Sequence, residues 1–311
     1  MSKVLVIFGA TGQQGGSLVD YVLNDPTLSK EFKVRAVTRD VSKPAAQALS
    51  KKGVEVVAGD VDDHESLAKV MHGAHTIFGV TVTVYDERTK EREVSQGRAM
   101  GDAAVAAGAQ YFIFSTLSNA GEISGGKYAT VEHFDGKAEV EAYIRTLPIK
   151  SAFFAPGSFM QNFTNMMMTP QPMGDGTYAI ANVVTPQTQL PLIEITADTG
   201  KYVGAILAEP DKYEGKVFAA ATKLYSFEEI VEAMSKATGK TVKYNQLPES
   251  VMRGFLPPAA AEDLIQMFYW FQDYGYYGPQ SKELIEWAAQ NARGKLTTLE
   301  EYLVKNPLVL Q

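Results

Sequence analysis

Phe8-Gly9-Ala10-Thr11-Gly12-Gln13-Gln14-Gly15-Gly16 is the stretch on which the fold turns. It follows an apolar run, Val4–Phe8, and opens an amphipathic segment, Gly15–Leu23. A strand before and a helix after are what make a glycine pattern informative. Gly9 permits the tight turn, Gly12 lets backbone approach a pyrophosphate, and Gly15 lets the helix pack close to the strand. The phosphates would then sit at the positive end of the helix. The spacing is G-x-x-G-x-x-G, one residue longer between the first glycines than the common dinucleotide fingerprint. An ordinary strand–turn–helix is the alternative. The pattern on either side favours dinucleotide binding.

That pattern is an alternation. Val34–Val37, Val54–Ala58, Thr76–Val80, Tyr111–Phe114 and Ser151–Phe154 are short runs rich in Val, Ile and Phe, as strands buried on both faces should be. Between them lie helix-like segments at Ala45–Lys51, His64–Met71, Glu91–Ala107 and Val131–Thr146. Alternating strands and helices predict βαβ units and a doubly wound parallel sheet, a Rossmann fold, over residues 1–156. The alternation weakens after Pro156, and 158–195 reads as loop-rich and partly extended. Asp198–Ala208 reads as a helix and Lys216–Ala220 as a strand. Ser226–Thr238 reads as a helix with a capping box, Ser226 followed by Glu229. The tail from about 249 reads as helical. The expected second unit is a smaller α/β region over 157–311, with later strands from about 192–245 returning to the first.

The end of the second strand selects the dinucleotide. A carboxylate there suits the ribose hydroxyl of NAD, an arginine the 2′-phosphate of NADP. The sequence reads Thr38-Arg39-Asp40, with Lys43 close behind. Arg39 offers a planar fork to phosphate oxygens and Lys43 a point charge. Asp40 lies one position past the usual acidic site and is read as a turn cap. The expected cofactor is NADP(H). Gly59-Asp60-Val61 follows the third strand, where Asp60 could accept from the adenine amine or cap the next helix; both roles stay open.

Short-chain dehydrogenases place Tyr-x-x-x-Lys on the helix after the fifth strand, stacking both side chains on one face. Here the fifth strand ends in Ser115-Thr116, and the next helix carries His133-Phe134-Asp135-Gly136-Lys137. Lys137 is in place as a ribose ligand, but the tyrosine position holds His133. Tyr128 has no lysine four residues on. His133 can move a proton near neutral pH but is a different acid from a tyrosine. His133 and Lys137 are therefore candidates only, and no catalytic residue is assigned.

The 311 residues contain no cysteine, which removes disulfides, thiolate metal sites and thiol redox switches. The charge of −7 argues against direct nucleic-acid binding. No run approaches a membrane span or a signal-peptide core. The expectation is a cytoplasmic protein, with nuclear location open, and no membrane partner. His64, His72 and His75 do not converge with acidic residues, so no metal site is expected. No hydrolase elbow, zincin or P-loop motif is present.

FGATGQQGGS, VRAVTRD, AGDVDD, FSTLSN and above all VEHFDGKAEVEAYIR resemble the NmrA-like family, an atypical branch of the short-chain dehydrogenases/reductases, and within it the HSCARG-type NADPH sensors. PLIEITADTGKYVGAIL and AAAEDLIQMFYWF extend the resemblance over nearly the whole chain. The resemblance implies an NADP-binding Rossmann domain and a smaller C-terminal part. It implies pyrophosphate contacts from Gly9, Thr11, Gly12, Gln13, Gln14 and Gly15. Arg39 and Lys43 would hold the 2′-phosphate, and Asp60 and Val61 the adenine. Thr81, Lys137, the Pro156–Phe159 turn and Asn162 would surround the nicotinamide half. Phe159 and Met160 are read as cleft lining, with or without ligand contact.

Studied members resemble regulators, so the first expectation is a non-catalytic redox sensor acting on a protein partner, a transcription factor or signalling protein. With no thiol, its signal would enter through the nicotinamide. The alternative is an NADPH-dependent reductase of quinones or small carbonyl compounds, because a related branch also lacks the tyrosine yet catalyses reduction. A plain scaffold with a structural cofactor is a third reading.

Other surfaces stand out. Seven of the ten residues Phe268–Tyr277 are aromatic, read as tail packing or as a partner or substrate surface. Met166-Met167-Met168 is an adaptable apolar patch beside the expected cleft. Gly97 and Gly101, four apart on one helix, predict a close approach to the sheet, or else a homodimer seam.

Overall fold

A computed structural model describes residues 2–164 and 168–310. The first half alternates strands with helices. The strands are β1 (Lys3–Ile7), β2 (Phe32–Thr38), β3 (Glu55–Ala58), β4 (Thr76–Gly79), β5 (Tyr111–Ser115) and β6 (Lys150–Pro156). Between them lie α1 (Gln13–Asn24), α2 (Leu28–Glu31), α3 (Pro44–Lys51), α4 (His64–Met71), α5 (Thr89–Ala106), α6 (Ala120–Ile123) and α7 (Glu132–Ile144). The second half holds β7 (Ser158–Phe159), a 3-10 turn (Met160–Phe163), β8 (Gln171–Pro172), β9 (Tyr178–Asn182), β10 (Gln189–Ile193), α8 (Ile195–Ala208), β11 (Val217–Ala220), β12 (Lys223–Ser226), α9 (Phe227–Thr238) and β13 (Val242–Gln246). The tail is α10 (Glu249–Arg253), α11 (Pro258–Tyr274), α12 (Ser281–Asn291) and α13 (Leu299–Lys305).

Seven strands pair in parallel in the order β11-β6-β5-β4-β1-β2-β3. Helices cover both faces, so Leu5, Val6 and Ile7 are all sealed from solvent, and the strand reads as an unbroken apolar run. The chain reverses direction across the sheet between β1 and β4. In such sheets ligands bind outside the carboxyl ends of the strands at that switch point. Of the strands expected to return from 192–245, β11 alone joins this sheet among the described residues. β7, β10 and β12 form a second sheet of three strands, and β8, β9 and β13 a third.

The capping box on α9 is formed in both directions between Ser226 and Glu229. The close approach at Gly97 differs from expectation. A Cβ there would lie 2.3 Å from Val140, and one at Gly101 would lie 2.8 Å from Leu147. The two glycines seat α5 against α7 and the turn after it, within the chain, not against the sheet and not as an exposed dimer seam. Two α-helices on the same sheet face can approach this closely only where one offers no side chain.

The aromatic tail is chiefly packing. Trp270, Phe271 and Tyr276 surround Phe134 with ring centroids 5.0, 5.8 and 5.2 Å away. Tyr276 donates to the carbonyl of Pro156 at 3.1 Å and Tyr277 to that of Ala155 at 2.9 Å, so the tail is fastened to the end of β6. Each such buried ring contributes roughly 1.5–3 kcal/mol through apolar burial. Asp273 at the end of α11 accepts from Lys127 at 2.5 Å and Tyr128 at 2.6 Å, a second fastening that explains Tyr128 without catalysis.

Candidate functional site

The glycine loop takes the form the sequence requires. Gly9 has φ +63, a left-handed conformation that a side chain would strain. A Cβ on Gly15 would fall 2.4 Å from the carbonyl oxygen of Gly9. No side chain caps α1, whose N-cap is Gly12, and its first turn holds no acidic residue. The amides of that turn are thus left for an anion at the positive helix end. The loop therefore fits a dinucleotide pyrophosphate.

A cavity of about 550 Å³ runs from this loop along the carboxyl ends of β1, β4 and β5 and beneath α11. Gly9, Gly12, Gln13, Gln14, Gly15, Thr81, His133, Lys137, Pro156, Phe159 and Asn162 all line it. Met160 is buried elsewhere in the core. Of the methionine patch, Met168 lines the cavity, while Met166 and Met167 lie outside the described residues.

Thr11, Arg39, Lys43, Asp60 and Val61 lie outside the cavity. Arg39 and Asp60 stand on the same sheet edge, just past the paired ends of β2 and β3, where Gly59 donates to Thr38 at 2.9 Å. Arg39 is exposed and makes no ion pair among the described residues, which leaves its fork open. Lys43, also exposed, is the N-cap residue of α3. Asp40 accepts from the amide and hydroxyl of Ser42, the turn cap expected, and those bonds hold its carboxyl below the ordinary range. Asp60 is not the cap of α4. Asp63 takes that place, accepting from Glu65 and Ser66, because the turn runs three residues past Asp60 before the helix begins.

Lys137 lines the cavity and is held by partners within the chain. Its ammonium donates to both oxygens of Glu93, at 2.6 and 2.5 Å, and to Thr83 at 2.9 Å. An ammonium has three protons, and all three are taken. It cannot also hold a ribose hydroxyl without giving up one of these partners. Glu93 is 1% exposed and is further bonded by Thr81 and by Thr83. Burial pulls the lysine below its ordinary pKa, with Glu93 opposing. The pair presents no net charge to the cavity.

His133 stands one turn before Lys137. Its Nδ1 is paired with Asp263 of α11, whose other oxygen accepts the His133 backbone amide at 3.2 Å. Tyr85, from the loop after β4, meets the imidazole edge-to-face at 5.6 Å. Burial, reinforced by Asp263 and Glu93, pushes the Tyr85 phenol above its ordinary value. Ser115 donates to the side-chain oxygen of Gln14 at 2.8 Å, tying the end of β5 to the glycine loop. Beyond His133 the cavity is apolar, walled by Met252, Leu256, Leu264, Met267, Phe268 and Phe271. The aromatic tail is thus both packing and cavity wall.

Glu93, Asp263, Tyr85 and Thr83 were not found from sequence. Two carried a signal. Glu93 sits on the inward stripe of α5 with Gln96, Gly97, Met100 and Ala104, and Asp263 lies among the buried residues of α11. An acidic residue on a buried helix face needs a partner. Tyr85 and Thr83 carried none.

Sheet order, switch-point cavity and glycine loop define a Rossmann-type nucleotide-binding protein. The chain belongs to the NmrA-like family, whose family model matches residues 1–303. An NmrA-like family domain-containing protein of Dictyostelium discoideum is 30% identical over 98% of both chains. Among solved structures, NmrA, a negative transcriptional regulator in complex with NADP, superposes with a TM-score of 0.82 at 24% identity over 98% of this chain and 95% of its own. The Citrobacter sp. triphenylmethane reductase complexed with NADP(H) gives 0.78 at 22% over 98% and 100%. One fold thus serves a regulator and a reductase, and the site must decide between them. Among the described residues, no helix is long and apolar enough to cross a membrane.

Proposed function

We propose that this chain is an NADP(H)-dependent reductase of uncharged, apolar small molecules. The observation that carries the reading is the cavity itself. It continues past the glycine loop into an apolar chamber walled by the tail, and its one lysine is neutralised by Glu93. A cavity of this size and lining is that of a small-molecule site. The uncapped α1 and the open Arg39 fork support NADP(H), as do the NADP complexes of NmrA and the triphenylmethane reductase. Bound there, NADPH would supply hydride; the chain's own groups position the substrate and exclude water.

The redox-sensor reading keeps one observation in its favour. The dehydrogenase tyrosine is absent, and the lysine that would accompany it is tied down. NADPH oxidation with a panel of aromatic ketones, aldehydes and quinones tests the choice, alongside calorimetric titration with NADPH and NADP⁺. Turnover with at least one class is expected. Binding without turnover across the panel, with unequal affinity for the two cofactor forms, would replace the reductase by the sensor.

A further inference from the structure

The geometry points to His133, held by Asp263, as the group that protonates the oxygen of an aromatic carbonyl compound bound in the apolar chamber. This rests on the reductase reading and adds the substrate class and the proton donor. Asp263 engages both the Nδ1 and the backbone amide of His133, which fixes the ring's position and leaves Nε2 as its free nitrogen. His133 lines the cavity, and its hydrogen bonds run from the backbone amide and Nδ1 to Asp263, none reaching Nε2 among the described residues. The carboxylate that orients the ring comes from 130 residues away, on the same helix that walls the chamber. Tyr85 covers one edge of the ring.

Lys137 and His133, the basic side chains of the lining, each face a buried carboxylate, Glu93 and Asp263. An anionic substrate would find nothing to hold it. A flat apolar compound would lie against Leu264, Phe268 and Phe271, with its single polar group toward His133. In the step, hydride from NADPH forms the new C–H bond at the carbonyl carbon, and the π pair moves to oxygen. The Nε2–H bond of the imidazolium breaks as the O–H bond forms. Alcohol and NADP⁺ result, and water reprotonates the ring. Asp263 is a positioning residue: it keeps Nδ1–H bonded while Nε2 gives up its proton.

Two readouts separate the roles. Acetylnaphthalene needs a proton when it takes hydride, so loss of the proton donor falls on kcat; loss of a mere wall residue falls on KM. General acid catalysis is worth about 10²–10⁴-fold. His133→Gln is expected to lower kcat on acetylnaphthalene at least about 100-fold, with KM changed less than about threefold. Asp263→Asn should show the same selective loss, with Asp263→Glu restoring part of it. ¹⁵N NMR of histidine supplies a readout besides turnover: the Nε2 resonance of His133 should move when unreactive naphthol fills the chamber, and Nδ1 should stay protonated. Equal turnover of the ketone by wild type and His133→Gln, or a loss carried by KM and not by kcat, would overturn the assignment. So would a His133 resonance indifferent to naphthol. Absence of turnover by the wild type on every apolar carbonyl compound offered would instead reject the reductase reading beneath it.

Discussion

The two ends of the cleft are built in opposite ways. The phosphate end is local: Gly9 to Gly15 are one turn of chain, and Arg39 and Asp60 are brought beside it by strand pairing that any Rossmann sheet supplies. The chamber end is remote: His133 meets Asp263 across 130 residues, Lys137 meets Glu93 across 44, and Tyr276 meets Pro156 across 120. The phosphate end presents uncapped backbone amides and exposed cations. The chamber has spent its charges on one another. On the proposed reading, a local device would recognise the part of the ligand common to many proteins, and a long-range device would shape the part peculiar to this one.

Breaking each end should therefore give a different kind of defect. The largest effect is expected at the chamber. Lys137→Ala leaves Glu93 buried without its ammonium, a loss of about 3–5 kcal/mol, read as a lower midpoint in urea unfolding. Replacing both, as Lys137→Met with Glu93→Leu, should recover most of that stability, since removal of a buried pair together is often neutral. At the phosphate end, Gly15→Val drives a side chain into the Gly9 carbonyl, 2.4 Å from its Cβ. NADPH binding should vanish from calorimetry and turnover fall by about 10²-fold, as for a misplaced ligand. Arg39→Ala is milder and more selective. Loss of one charge-assisted contact should weaken NADPH by about 10- to 100-fold and leave NADH nearly unchanged. Equal loss for both cofactors would remove Arg39 from the 2′-phosphate.

The smallest effect concerns the fastening of the chamber wall. Hydrogen bonds from Lys127 and then Tyr128 hold the Asp273 carboxyl below its ordinary value of 3.8. A depressed folded value means the unfolded chain takes up the proton first as pH falls. The contribution is whole above 3.8 and is lost as pH drops through the folded value. Asp273→Asn should flatten stability against pH in that acid window and change little at neutrality. A slope identical to wild type would show the fastening to be idle.

The contrast also marks how far the sequence could be read. The Rossmann half was legible because its signals are short-range: apolar runs of strand length and glycines at a strand–helix junction; the Ser226–Glu229 box, also short-range, was legible in the second half. His64–Met71 was found to the residue. The small sheets escaped because β7 and β8 are two residues long and carry no periodicity. The Gly97 approach was seen but aimed at the wrong neighbour, since spacing tells that a helix face is bare and not what lies on it. Of the residues expected at the site, most of the glycine loop, Thr81, Pro156, Phe159 and Asn162 line the cavity. The partners of Lys137 and His133 were not legible, because Glu93 and Asp263 reach them only through tertiary packing.

The central claim is that the chamber receives hydride. Reduction with NADPH deuterated at one or the other C4 position, followed by mass spectrometry of the product, tests it most directly. The account predicts one deuterium in the product from one of the two labelled cofactors and none from the other. Product without label from both, or bound NADPH left unoxidised by every apolar carbonyl compound offered, would contradict it.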